Sequence, residues 1–225
     1  MSDTDISRYV DISDLQKALT EEEMEAVKAI LSEISSDGRS PTLDGLWQAD
    51  YEEIPVDIYT FITDRRYLGD SFVSEDGTLL IYKFWVDVLK VIFAPDSQIF
   101  EVGLSGAIGL GKSTIATVGL AYVLYKLLCL KDPAAYYKLT RGSKVAIAIF
   151  NISLDQGFGV GFSKLQSMLM KSPWFLEHGT VSGLKNQTYY PGKDIEILVG
   201  SKMEHFLGRD IFAGFLDEME FAPGS

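Results

Sequence analysis

The sequence predicts an α/β fold in which a mostly parallel β-sheet packs against α-helices, and three observations predict it. In the second half of the chain, short continuous apolar runs alternate with segments of helical periodicity, as in parallel sheets whose strands are buried on both faces. A glycine-rich loop separates one such run from a long apolar helix, and a later run ends in two acidic residues. With 225 residues, 47% of them hydrophobic, the chain can bury a substantial core.

Charge and cysteine content exclude several classes of protein. The chain has 20 Lys+Arg and 32 Asp+Glu, a formal net charge of −12, and the acids are most concentrated in residues 1–38. Because this charge repels a phosphodiester backbone, nucleic acid could bind only at a local basic patch or through another part of the protein. A single cysteine, Cys129, excludes a disulfide framework. The first residues lack the basic and apolar regions of a secretory signal, which favours an intracellular protein.

Two domains of unequal size are predicted. Residues 1–55 form an acidic N-terminal helical appendage with a linker, and residues 56–225 form the main domain. In the appendage, Thr20 and Glu23 have the spacing of a capping box, which begins a helix by satisfying its first backbone N–H groups. Apolar residues then recur at helical spacing up to Gly38, which ends the helix.

The elements of the main domain follow from periodicity and length. The aromatic-rich segment 59–93 is predicted to pack in the core, an aromatic ligand shelf being the alternative. Within it, one helical face could contain Phe84, Val88, Val91 and Ile92. The most apolar segment, 114–130, is shorter than the roughly 20 apolar residues of a membrane span, so we predict a buried helix there. The predicted strands are 99–104, 145–152, 195–199 and 211–216, and the predicted helices are 83–93, 112–130 and 161–170.

A phosphate-binding loop is the strongest chemical signal. The string GAIGLGKST matches G-x-x-x-x-G-K-S/T and lies between a predicted strand and a predicted helix. Its glycines let successive N–H groups and the helix N-terminus face a polyphosphate. Lys112 would reach the β and γ phosphates of a nucleotide, and the Ser113 hydroxyl would bind Mg²⁺. A glycine-rich turn without function is the less favoured alternative. The predicted loop consists of Gly106, Ala107, Ile108, Gly109, Leu110, Gly111, Lys112, Ser113 and Thr114.

Two acids follow the last apolar run. The strand would deliver Asp217 to the edge of the sheet beside the phosphate loop, where it could hold Mg²⁺ or a metal-bound water. Glu218 would then polarise the water that attacks the γ phosphate. A kinase does not need this second acid, so the pair favours nucleotide hydrolysis. The alternative is that two acids follow the strand only because loops are solvated. The phosphate loop earlier in the sequence favours the functional interpretation of the pair.

An arginine precedes the same strand. Arg209 lies in the loop 204–210, which we expect to emerge near the nucleotide edge of the sheet. From there its guanidinium could neutralise charge on the γ phosphate of a neighbouring subunit. A surface ion pair with Asp210 is the alternative, and the residues alone do not decide between them. Arg141 is a weaker candidate for the same role.

The chain resembles the N-terminal ATPase portion of the large terminase subunit of tailed bacteriophages, the motor that packages viral DNA. The resemblance spans about residues 55–221 and depends on four pieces of sequence. These are VDIYTFITDRRYLG upstream of the phosphate loop, GAIGLGKST itself, SPWF at 172–175, and the glycine-arginine loop before FLDE. Many terminases place an arginine within the phosphate loop, whereas this chain has Ala107, Ile108 and Leu110 at the variable positions.

This resemblance implies a P-loop NTPase with a RecA-like sheet of the additional-strand, catalytic-glutamate class and helices on both faces. It implies that ATP and Mg²⁺ are the cofactors and that Arg209 acts as an arginine finger between subunits. The implied function is ATP hydrolysis that drives viral double-stranded DNA into a procapsid in the host cytoplasm, without any membrane. The implied partners are a homo-oligomeric ring, double-stranded DNA, the portal and the small terminase subunit.

The resemblance also sets expectations about what lies beyond this sequence. The ATPase domain is expected to be incomplete at Ser225, and the nuclease of the family is not encoded in this segment. A helicase-like or other nucleic-acid-remodelling P-loop ATPase is the alternative function. A module that holds nucleotide without hydrolysing it is a more distant alternative.

Overall fold

We analysed a computed structural model of the chain, which describes residues 20–37, 48–140, 142–151, 161–179, 182–184 and 187–217. The chain divides into two compact units, Met1–Asp50 and Tyr51–Ser225. The first unit contains helix α1, Glu21–Asp37. The predicted capping box is confirmed, because the Thr20 N–H donates to Glu23 Oε2 at 2.8 Å and the Glu23 N–H donates to Thr20 Oγ1 at 3.3 Å.

The second unit is a mixed α/β structure. Most predicted elements are confirmed to within one or two residues, including the helix over 112–130 and the strands that begin near 145, 195 and 211. The described helices are α2 Ile58–Thr63, α3 Gly69–Phe72, α4 Lys83–Ile92, α5 Lys112–Cys129, α6 Pro133–Tyr136, α7 Ser163–Lys171 and α8 Pro173–His178, with a 3-10 helix at Met203–Phe206. The described strands are β1 Val145–Phe150, β2 Ser182–Leu184, β3 Gln187–Tyr190, β4 Ile195–Gly200 and β5 Asp210–Leu216.

The five described strands form one sheet in the order β2-β3-β4-β1-β5. Strands β4, β1 and β5 are mutually parallel, with Ile147 opposite Ile197 on one side and opposite Ala213 on the other. The hairpin of β2 and β3 adds to the far edge of β4 in the antiparallel sense. The parallel half carries the elements that the sequence predicted, whereas the short hairpin was missed because its residues show little apolar alternation.

The strand predicted at 99–104 is wrong. This segment lies outside the sheet, and Phe100 is 95% exposed. Within the described residues β5 pairs only with β1, and Ile211 and Leu216 on it are exposed. An apolar run predicts burial, but a strand also requires a neighbouring edge in register, and periodicity contains no information about that neighbour.

Among the described residues, α-helices cover only one face of the sheet, whereas helices on both faces were expected. On one face of the sheet, the apolar residues of β1 and β4 pack against the α-helices. Together they form one core, which contains the buried apolar residues of the described α-helices. The other face carries a small cluster that includes Phe206 of the 3-10 helix. The buried residues of this smaller cluster are Ala146, Ala148, Leu198 and Phe206.

Helix α5 is the centre of the larger core. Eleven of its residues are buried, which confirms the prediction of a buried helix over 114–130. Its length is 18 residues, which at 1.5 Å per residue corresponds to about 27 Å. None of the helices in the described part of the chain is long and apolar enough to cross a membrane.

The aromatic segment upstream of the loop packs against α5, as the core interpretation predicted. The Phe61 ring stacks on Tyr125 with centroids 4.9 Å apart. The Tyr122 hydroxyl donates to the Val56 carbonyl at 2.8 Å, and burial raises the pKa of Tyr122 to about 12, so this phenol stays protonated. The face predicted for α4 is only partly confirmed, however. Its buried residues are Trp85, Val86 and Leu89. Of the predicted residues, Val88 and Ile92 are partly buried against the core, whereas Phe84 and Val91 are exposed.

Candidate active site

The direction of α5 decides where its first residues lie. Lys193 Nζ donates to the carbonyl of Leu130 at 2.6 Å, so the end of α5 lies at the amino end of β4, which begins at Ile195. Since α5 packs along the sheet and against β5, its first residues lie toward the other edge, where β4, β1 and β5 end. The loop that precedes α5 therefore reaches the carboxyl edge of the parallel strands, where α/β proteins commonly bind ligands.

The loop has a backbone shape that requires glycine. Gly106, Gly109 and Gly111 have φ angles of 138°, 88° and 83°, a region that other residues adopt only with strain. Gly111 directly precedes α5. Lys112 Nζ donates to the carbonyl oxygens of Gly106 and Ala107 at 2.7 and 2.9 Å, so the loop curves around the ammonium group. Of these three residues, Gly106 and Lys112 are fixed by the loop motif, whereas Ala107 is at a variable position.

The electrostatics of this loop favour an anion. The first turn of α5 contains no acidic residue, so the partial positive charge of the helix N-terminus is not offset there. Lys112 adds a full positive charge beside the same free N–H groups. The side chain of Ile108 is fully exposed at the tip of the loop. The loop therefore combines the backbone donors, the dipole and the cation that bind a polyphosphate.

Trp85 is a contact that sequence reasoning missed. This residue of α4 is buried, and its indole Nε1 donates to the carbonyl of Leu110 at 2.6 Å. A Cβ built on Gly111 would lie 3.8 Å from the same nitrogen. The indole thus holds the loop at the residues immediately before α5. A tryptophan in an amphipathic helix is the only signal in the sequence, and it does not reveal which carbonyl the indole binds.

Polar residues end the parallel strands at the same edge. The Asp217 N–H donates to the carbonyl of Phe150 at 3.0 Å, and the Asn151 N–H donates to the carbonyl of Gly200 at 3.1 Å. The parallel ladder therefore continues one residue past β1 and β5. Because side chains alternate between faces, Asn151 and Asp217 follow the apolar residues that pack toward α5. Those apolar residues are Ile147 and Ile149 on β1 and Ala213 and Phe215 on β5.

The residues near this edge fit a magnesium ion whose other ligands come from a nucleotide and from water. Ser113 is the second residue of α5, and Asp217 follows β5. No group of three or more His, Cys, Asp or Glu residues that could hold a metal occurs among the described residues. Mg²⁺ commonly uses only one or two protein ligands and completes its shell with phosphate oxygens and water. One hydroxyl and one carboxylate match that requirement.

Two of the predicted catalytic groups, Glu218 and Arg141, lie outside the described residues. The roles assigned to Lys112, Ser113 and Asp217 stay predictions, as does that of Glu218.

Arg209 lies at the opposite edge of the sheet from the one expected. It directly precedes β5, and Asp210 at the start of β5 is opposite Val145 at the start of β1. A loop that enters a parallel strand lies at its amino end, whereas the loop before α5 lies at the carboxyl end. The expected position near the nucleotide edge is therefore wrong. Its ion-pair partner also differs, because Arg209 Nη1 lies 3.0 Å from Oε1 of Glu196 rather than beside Asp210.

This ion pair anchors the loop before β5. The Glu196 side chain on β4 is fully buried, and the Arg209 side chain is 43% exposed. A buried carboxylate is costly without a compensating charge, so Arg209 has a structural task in this position.

One protein family matches the chain. The family model described as "Uncharacterized protein MJ0330, N-terminal P-loop domain" covers residues 14–220, which includes the phosphate loop, β5 and Asp217. No curated protein and no solved structure matches the chain. The match supports a nucleotide-binding P-loop domain, and it contains no reference to a bacteriophage terminase.

Replacing Trp85 by phenylalanine tests whether the indole holds the loop. The Trp85→Phe variant loses the hydrogen bond to Leu110, and we expect its affinity for a nucleotide to fall about fivefold, as one neutral hydrogen bond is worth about 1 kcal/mol. Titration calorimetry with a non-hydrolysable ATP analogue measures the change. The matched control is Trp174→Phe, which removes an indole N–H that donates to Glu53 at 2.9 Å. Equal losses in both variants would contradict a specific role for Trp85.

Proposed function

Since the chain belongs to the family described as MJ0330 N-terminal P-loop domains, we propose that it binds ATP with Mg²⁺ and hydrolyses it. One observation carries this proposal. The Lys193 hydrogen bond to Leu130 holds the end of α5 at the amino end of β4, which directs the glycine loop around Lys112 toward the carboxyl edge, where Asp217 follows β5. In this proposal the phosphate loop binds ATP. Asp217 binds the magnesium ion, and Glu218 activates the water that attacks the γ phosphate.

Each residue has a separate task in this mechanism. The loop N–H groups and the N-terminus of α5 bind the phosphates, and Lys112 exchanges its bonds to Gly106 and Ala107 for phosphate oxygens. Ser113 and Asp217 would hold Mg²⁺, and the ion would supply positive charge that offsets the negative charge of the phosphates. Glu218 accepts a proton from the attacking water.

The finer proposal is that hydrolysis moves viral double-stranded DNA into a procapsid, as in the terminase large subunit that the chain resembles. In such a ring, Arg209 would act on the nucleotide of a neighbouring subunit. The position of Arg209 at the amino edge of the sheet supports action between subunits over action within one, because that edge lies away from its own phosphate loop. With a net charge of −12, the ring would contact DNA only through local basic residues.

Replacing Glu218 by glutamine tests hydrolysis. We expect Glu218→Gln to retain ATP binding but to lower turnover at least about 100-fold, because the amide cannot accept the proton of the water. Phosphate release and titration calorimetry measure the two properties separately. Glu204→Gln, which changes an exposed acid of the 3-10 helix, is the control. Normal turnover in Glu218→Gln would remove Glu218 from the mechanism.

Mixed assemblies test the role of Arg209. Arg209→Gln combined with Glu196→Gln replaces the ion pair by two neutral amides, which avoids leaving a buried carboxylate without the positive charge of Arg209. We expect this double variant to fold and to lose turnover, and to recover part of it when mixed with Lys112→Ala chains. Recovery arises because a mixed ring contains interfaces in which an intact loop meets an intact arginine. A ring shown to be mixed that recovers no activity would contradict action between subunits.

The response to DNA separates packaging from the helicase-like alternative. We expect duplex DNA to stimulate ATP turnover when the protein is assembled with a portal and procapsid, and to become resistant to nuclease as it enters the shell. ATP turnover and the nuclease resistance of the DNA are measured in the same reaction. Separation of duplex strands without any procapsid would favour the helicase-like function and contradict packaging.

A further inference from the structure

Asn151 has an unusual environment at the carboxyl edge of the sheet. The residue is only 2% exposed. Its Oδ1 atom has no hydrogen-bond partner among the described residues, and only Tyr190 Oη shares that condition there. A buried acceptor without a donor destabilises a protein. Such atoms in a folded chain therefore commonly indicate that a hydrogen-bond donor, such as a water or a ligand, binds there.

The position of Asn151 indicates where that partner lies. Asn151 follows β1, which lies between β4 and β5, and its N–H continues the ladder to Gly200. The alternation of side chains puts Asn151 on the face toward α5, as it does Asp217 on the neighbouring strand. The amide is therefore a neighbour of the predicted metal ligand, at the edge that the start of α5 approaches.

The chemistry of the orphaned atom limits the partner to a donor. An amide oxygen accepts hydrogen bonds and cannot donate them, and phosphate oxygens also only accept. The phosphates of a nucleotide therefore cannot satisfy Asn151 Oδ1 directly. Water bound to Mg²⁺ is a strong donor, and Mg²⁺ in nucleotide sites usually keeps several waters. With Asp217 beside Asn151, such a water is the partner that this edge of the sheet would supply.

We propose that Asn151 is a positioning residue that accepts a hydrogen bond from a water of the magnesium ion held at Asp217 and Ser113. The inference rests on the proposed function, and it adds a residue to which neither the motifs nor the family match assigns a role. It also implies a cost, because the chain carries an unsatisfied acceptor until Mg²⁺ and nucleotide bind. Removing the acceptor should then stabilise the free protein and weaken the metal-dependent part of binding.

The experiment compares Asn151→Leu with the unchanged chain and with Tyr190→Phe. Tyr190 supplies a matched control, since it also has an unpartnered buried oxygen but lies opposite Ile195 at the amino edge of the sheet. The affinity for a non-hydrolysable ATP analogue is measured with Mg²⁺ and with a chelator, and the melting temperature is measured without nucleotide. We expect both variants to melt higher than the unchanged chain. Mg²⁺ should raise the affinity for the ATP analogue, and only in Asn151→Leu should this gain be smaller, by about tenfold.

A second variant distinguishes the oxygen from the rest of the amide. Asn151→Asp keeps an acceptor in place, and we expect it to retain the Mg²⁺-dependent gain. This variant also keeps the proposal testable if the leucine variant does not fold, because a lost gain in Asn151→Asp would overturn it.

The remaining outcomes separate this inference from the proposed function. An unchanged Mg²⁺-dependent gain in Asn151→Leu, or a lower melting temperature than that of the unchanged chain, overturns the role of Asn151 while leaving the nucleotide site intact. Failure of the unchanged chain to bind the nucleotide analogue at all overturns the proposed function and this inference together.

Discussion

The packing of α5 antiparallel to the strands β4, β1 and β5 is the constraint on which the candidate site depends. Strands that run in one direction end at one edge, and a helix that returns along their face begins at that same edge. Apolar residues on α5 and on one face of the sheet stabilise this arrangement by burial. The direction of the helix thus brings its free N–H groups toward the edge where polar residues follow the strands, although these residues are distant in the sequence.

Contacts around the loop show how a positively charged site is kept in shape without its ligand. The ammonium of Lys112 binds carbonyls of its own loop, and the indole of Trp85 binds the carbonyl of Leu110. Both are hydrogen bonds to loop carbonyls, so they leave the N–H groups at the start of α5 available to an anion. A loop held in one shape by such contacts loses less conformational entropy on binding a ligand that fits this shape.

Two edges of the sheet carry different kinds of charge. At the carboxyl edge, Asp217 follows β5, and the direction of α5 brings Lys112 and the helix N-terminus toward the same edge, an arrangement that suits a metal and a polyphosphate. At the amino edge, Arg209 compensates the buried carboxylate of Glu196. A cation with a structural partner can still present its remaining N–H groups outward, and Arg209 is 43% exposed. Structural and catalytic tasks for this arginine are therefore compatible in an assembly.

The sequence by itself determined the elements whose signals are local. The glycines of 106–111, the periodicity of α5 and the apolar runs of β1, β4 and β5 are recognisable because turn geometry and side-chain alternation act over a few residues. Only the tertiary structure decided the partners: Glu196 for Arg209, Leu110 for Trp85, Asp217 as the neighbour of Asn151, and no strand for 99–104. Such pairings join residues distant in the chain, and they depend on which edges and faces the packing brings together.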